Sequence, residues 1–176
     1  MAGPADLGSV DLDREALFAL LERHRVAFVL IGGAAIQSHG GRYDTLDVDL
    51  APETTPENLA RLADALNELD CRLITDPADA ASWVTLPASY FTPRSLRAAS
   101  TWNLATRYGQ LDLCFAPAGF PGGYEELRSD ATLRAAAGTT VVVRVAALED
   151  VHACKREADR AKDRAYFESV EGRGGR

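Results

Sequence analysis

The sequence predicts an α/β (α+β) fold, a mixed β-sheet flanked by helices and closed by a C-terminal helix. Three observations lead there. Short apolar runs alternate with segments of helical period over the first half of the chain. Segments of strand character then dominate residues 101–145. A charged, helix-forming stretch follows, from Leu148 to about Val170. Residues 11–171 read as one domain, with 1–10 and 172–176 as loose termini.

Each element has its own signal. A helix starts at Leu12, capped by Asp11 or Asp13, with Leu17, Leu20 and Leu21 on its apolar face, and ends near His24-Arg25. Phe28–Ile31 is a continuous apolar run, hence a buried strand. Gly32-Gly33 makes a turn into a short helix, Ala34 to His39, which Gly40-Gly41 stops. Arg42 to Thr45 is a polar loop into an acidic strand that Pro52 ends. The segment ETTPENLARLADALNELD is a helix, with Thr54 or Thr55 as cap, Pro56 in the first turn, and Leu59, Leu62, Leu66 and Leu69 on one face. Cys71–Ile74 reads as a strand.

Residues 76–99 carry three prolines and read as irregular, with one helix near Pro93–Ala99. Thr101–Tyr108 and Leu111–Phe115 are strands around a Gly109 turn. In the second, Leu111, Leu113 and Phe115 share a face and Asp112 takes the other. Pro117–Gly123 is a loop, Tyr124–Asp130 a short helix and Thr139–Val145 a β-branched strand.

Composition narrows the classes of function. The chain has 176 residues, of which 47% are hydrophobic and 26% charged, ordinary for a globular protein. It has no run of 18 apolar residues, so no membrane partner is expected, and its first residues lack the pattern of a signal peptide. Cys71, Cys114 and Cys154 are scattered and odd in number, which fits a reducing, cytoplasmic setting. A net charge of −7 argues against a general nucleic-acid binder. The acidic excess lies in residues 1–70, however, and the rest, near balance, carries most of the arginines.

The chemistry concentrates in VLIGGAAIQSHGGRYDTLDVDL, Val29 to Leu50. Asp47 and Asp49 alternate along a strand, so both carboxylates project to one side while Leu46, Val48 and Leu50 take the other. Like charges on one face repel, and a divalent cation removes that cost. Hard oxygen ligands at this spacing suit Mg²⁺ together with substrate phosphates. Gly32 and Gly33 let the backbone approach a ligand, and N–H groups at a helix start favour phosphate. Asp112, a lone acid on a later strand, completes a three-carboxylate set of the kind that holds two metals for phosphoryl transfer.

The spacing Gly-Gly, thirteen residues, then Asp-Val-Asp resembles the nucleotidyltransferase superfamily related to DNA polymerase β. It is most similar to small bacterial members, the AbiEii and MenT toxin-like proteins. The similarity returns in LEDVHACKREADRAKD, where Lys155 matches a lysine and Lys162-Asp163 a later pair. The matched segments cover about half of the chain.

The resemblance implies a nucleotidyltransferase-like fold and transfer of a nucleoside monophosphate from an NTP to a hydroxyl, with release of pyrophosphate. Asp47, Asp49 and Asp112 would be catalytic and bind Mg²⁺ in a two-metal site. Gly32, Gly33, Thr45, Lys155 and Lys162 would bind the nucleotide, Lys155 acting in catalysis as well. The acceptor it suggests is an RNA, a tRNA 3′ end, inside a toxin–antitoxin pair with a cognate antitoxin as partner.

Rival readings stand beside these. Transfer to an aminoglycoside-type small molecule or a protein side chain is one, and a non-catalytic nucleotide-binding module is another. Thr45 and Arg42 read equally as turn residues. Lys155, Asp159, Lys162 and Asp163, at i, i+4, i+7 and i+8, read equally as a salt-bridged surface. His39 reads as a structural polar group, and Trp83, Tyr90, Phe91 and Trp102 as core aromatics rather than base-stacking ones.

Overall fold

The structure is a computed structural model and describes residues 11–171, so the expected loose termini lie outside the described residues. Helix α1 spans Arg14–Arg23, and Asp13 caps it by accepting from the Ala16 N–H. Strand β1 (Phe28–Ile31) is buried throughout, as its apolar run requires. Helix α2 (Gly32–Ser38) begins at the glycines themselves, and strand β2 follows at Asp47–Pro52. Helix α3 (Pro56–Glu68) has Thr55 as its cap, bonded to the Asn58 N–H.

Strand β3 (Arg72–Leu73) falls within the expected Cys71–Ile74. Residues 76–99 are mostly irregular, with a 3₁₀ turn at Ala80–Ser82, a short strand β4 (Val84–Thr85) and helix α4 (Pro93–Leu96) where a helix is expected. Thr92 and Ser95 cap α4 reciprocally. Strands β5 (Thr101–Thr106) and β6 (Gly109–Cys114) form a hairpin, and a short helix α5 (Tyr124–Leu127) follows. Strand β7 (Thr132–Ala135) has no clear signal in its own residues; antiparallel pairing with β8 (Val142–Val145) makes it a strand. Residues 139–141, expected in that last strand, form the turn between the two, where the Thr139 hydroxyl donates to the Ala136 carbonyl.

All eight strands form one mixed sheet, ordered β4-β3-β5-β6-β2-β1-β8-β7. The β2/β6 and β1/β8 pairs are parallel and the others antiparallel. One face of β2 and β6 carries Val48, Leu50, Leu111 and Leu113, all buried in a core shared with the leucines of α1 and α3. Leu46, expected with them, precedes the strand and is 84% exposed. Fully buried Asn58 ties α3 to the start of β1. Its side chain accepts from the Ala27 N–H at 2.7 Å and donates to the carbonyls of Ala27 and Glu53.

The expected single C-terminal helix is two: α6 (Leu148–Ala158) and α7 (Ala161–Glu171). The break falls at Asp159, whose φ of 44° lies in the left-handed region that aspartate tolerates better than most residues. Arg164 fastens the corner by donating to the Asp159 carbonyl and carboxylate at 2.6 and 2.8 Å.

Candidate active site

The site is built by a strand register. Parallel pairing of β2 with β6 sets Asp49 beside Asp112 and Asp47 beside Gln110. Alternation then puts all three carboxylates on the face opposite Val48 and Leu111, with oxygens of the three within 4.8 Å of one another. Each of these acids is half-buried. Among the described residues no protein group donates a hydrogen bond to Asp49 or Asp112; Asp47 accepts one, from the Thr45 hydroxyl.

Burial and mutual repulsion set their titration. Burial, then the Asp47 charge, push the Asp49 carboxyl up to about 6, against the pull of Lys155, Arg160 and Lys162. Burial, then Asp49 and Asp47, push Asp112 up to about 8, with Arg160 opposing. Cys114, one alternation beyond Asp112 on the same face, has its thiol pushed up to about 12 by burial and by Asp49 and Asp112. The three acids gather hard oxygen donors, the ligand type of a divalent cation such as Mg²⁺ or Ca²⁺.

The glycines serve this arrangement directly. Gly32 has φ +66°, and a Cβ there would fall on the Asp49 carboxylate. A Cβ on Gly33 would come within 2.6 Å of the Tyr43 ring and 2.7 Å of the Thr45 side chain. The glycine pair thus seats the acid strand and the loop before it against the start of α2. Arg42 is exposed on that loop.

Lys155 and Lys162 reach the same face from α6 and α7. Lys155 Nζ donates to Asp163 Oδ1 at 2.9 Å, and its side chain is only 12% exposed, that of Asp163 4%. The pair is therefore buried and not a solvated helix surface. In a straight helix residues eight apart stand about 12 Å apart along the axis; the break at Asp159 folds α7 back so that they meet. The Tyr43 hydroxyl donates to the same Oδ1 at 2.8 Å, and the Tyr43 ring lies 4.0 Å from Lys155 Nζ and 4.8 Å from Lys162 Nζ. Burial, then the bond to Asp163, hold the Tyr43 phenol protonated well above its usual range.

Two residues of this assembly escape a reading of the sequence. Tyr43 looks like a loop residue, and nothing in its neighbours signals the lysines it meets. Arg160 follows the helix break and acts on Asp49 and Asp112, yet a continuous-helix reading gives it no special place. The other candidates are structural. His39 Nε2 bonds the Ala146 carbonyl at 2.8 Å. Trp102 packs with Tyr90 and Phe91, and Trp83 lies under Arg72.

Comparison with known proteins finds no family model and no curated protein that matches this chain.

Proposed function

We propose that the chain is a Mg²⁺-dependent nucleotidyltransferase, with the mixed sheet as its nucleotidyltransferase-like scaffold. One observation carries this reading. Three acids from two neighbouring strands gather on one face of the sheet, among the described residues no protein donor satisfies Asp49 or Asp112, and cationic side chains act on them from α6 and α7. Buried like charges are retained at such a cost where a ligand compensates them.

Asp47, Asp49 and Asp112 are the residues that would hold Mg²⁺, and their all-oxygen donor set fits it. When bound, the ion neutralises the acids and lowers the charge barrier to a triphosphate. The chain's own groups do the rest. Thr45 fixes the Asp47 carboxylate by its hydrogen bond. Gly32 and Gly33 offer the backbone at the start of α2 to the phosphates. Asp112 takes the proton of the acceptor hydroxyl as that oxygen bonds the α-phosphorus. The α–β bridging bond breaks, and Lys155 and Lys162 hold the departing pyrophosphate. The acceptor in this reading is an RNA 3′ end, that of a tRNA, and the setting a toxin with a cognate antitoxin.

The test incubates the protein and its Asp49→Asn variant with Mg²⁺, each of four α-labelled NTPs and total tRNA. Label from one NTP in RNA, lost in the variant, is the expected result. Pyrophosphate release only when small molecules or lysate protein are supplied would move the acceptor elsewhere. No turnover with any acceptor would overturn the reading.

A further inference from the structure

Tyr43 stands where three parts of the site meet. Its loop leads from α2 into β2, four residues before Asp47. Its backbone carbonyl accepts from Gln37 Nε2 at 2.6 Å, which holds the loop against α2. Its ring presses on Gly33, where a Cβ would collide with it, and meets Tyr166 edge-on at 5.3 Å. Lys155 and Lys162 both sit within reach of that ring, at 4.0 and 4.8 Å.

Like-charged ammonium groups gathered at one ring repel each other. Asp163 compensates Lys155, at 2.9 Å. Lys162 is exposed and among the described residues pairs with no carboxylate; the electron-rich Tyr43 ring adds to the charge of Asp49 in favouring its ammonium there. The hydroxyl, bonded to Asp163, fixes the ring's tilt.

We propose that Tyr43 is a positioning residue, whose ring sets Lys155 and Lys162 together beside the acid triad to receive the β- and γ-phosphates of a nucleotide. This rests on the nucleotidyltransferase reading and deepens it. It also explains a cost. A tyrosine wedged against Gly33 forbids any larger residue there, and the lysines gain a defined spacing in return. Charge on the terminal phosphates is what such a pair recognises, so Tyr43 governs discrimination of a triphosphate from a monophosphate.

The experiment titrates wild-type protein, Tyr43→Leu and Tyr43→Phe with each of the four NTPs and with the matching NMPs, in Mg²⁺. Mn²⁺ binding followed by electron paramagnetic resonance, and thermal unfolding, report on the triad and the fold in the same samples. Tyr43→Leu should weaken NTP binding about tenfold, with NMP binding and Mn²⁺ binding nearly unchanged. Tyr43→Phe, which keeps the ring, should retain most of the NTP preference. Wild-type NTP affinity in Tyr43→Leu overturns the proposal. So does equal loss of NTP and NMP, which marks a merely structural residue, or a Tyr43→Phe as weak as Tyr43→Leu. Wild-type protein that binds Mn²⁺ but no nucleotide overturns the underlying transferase reading, and this is seen before any variant is compared.

Discussion

Asp112 and Asp163 are acids drawn out of solvent on the same side of the sheet, and their surroundings treat them in opposite ways. Asp163 receives two donors on one oxygen, Lys155 and Tyr43, with a cation beside it. Asp112 receives none among the described residues, and its nearest charges are two more acids. The difference separates architecture from chemistry. A buried carboxylate whose partners are all inside the chain holds elements together. A cluster of carboxylates left without partners is destabilising alone and gains from a ligand outside the chain.

Opposite mutational signatures would sharpen that contrast most. Asp49→Asn should lower nucleotide transfer by about 10²-fold or more. It should leave the melting temperature of metal-free protein unchanged or raise it, because a repelling charge is gone. Calorimetry beside the labelling assay reads both, and a large loss of stability in Asp49→Asn would erase the distinction. Asp163→Ala should do the reverse in stability, costing about 3–5 kcal/mol because it strands the buried Lys155 ammonium. Urea denaturation measures this, and a neutral result would mean that the pair contributes nothing to the fold.

Next in size is a pH effect. Asp49 and Asp112 hold their protons more tightly folded, at about 6 and about 8, than unfolded, near 3.9. The folded chain therefore binds more protons than the unfolded one across this window, and stability falls as pH rises through it. Melting of chelator-treated protein between pH 6 and 9 should show the decline, and millimolar Mg²⁺ should flatten it. A melting temperature that rises with pH over this range would contradict the burial of uncompensated acids. The smallest expected effect belongs to Arg160→Gln, which removes one opposing cation and should move the Asp112 titration further up, as read by carboxyl NMR. No movement would place Arg160 outside the field of the triad.

Much of the acid face was legible. Period-two alternation assigns Asp47 and Asp49 to one side of β2 and Asp112 to one side of β6, since strand geometry is local. Asp112 was expected to join that pair as a lone acid on a later strand; the exact register that sets it beside Asp49 was not legible, because parallel pairing joins segments some sixty residues apart. The C-terminal break was hidden for another reason. Ala158-Asp159-Arg160 contains neither glycine nor proline, and the left-handed turn at Asp159 depends on contacts such as that from Arg164. With the break went much of the setting of Tyr43, since Asp163, Lys162 and Tyr166 meet it from α7. Strand β7 was missed because Thr-Leu-Arg-Ala has no strong propensity and owes its form to β8.

The β2/β6 register has a consequence for how this chain can change. The spacing of Asp49 from Asp112 is fixed by a hydrogen-bond ladder, whose natural steps are two residues long. A one-residue slip would turn the acids into the leucine core, so intermediate spacings are inaccessible. Changes in an exposed stretch such as residues 76–79 leave the ladder untouched, so the distance between the two carboxylates is inherited unaltered while the surface far from it varies.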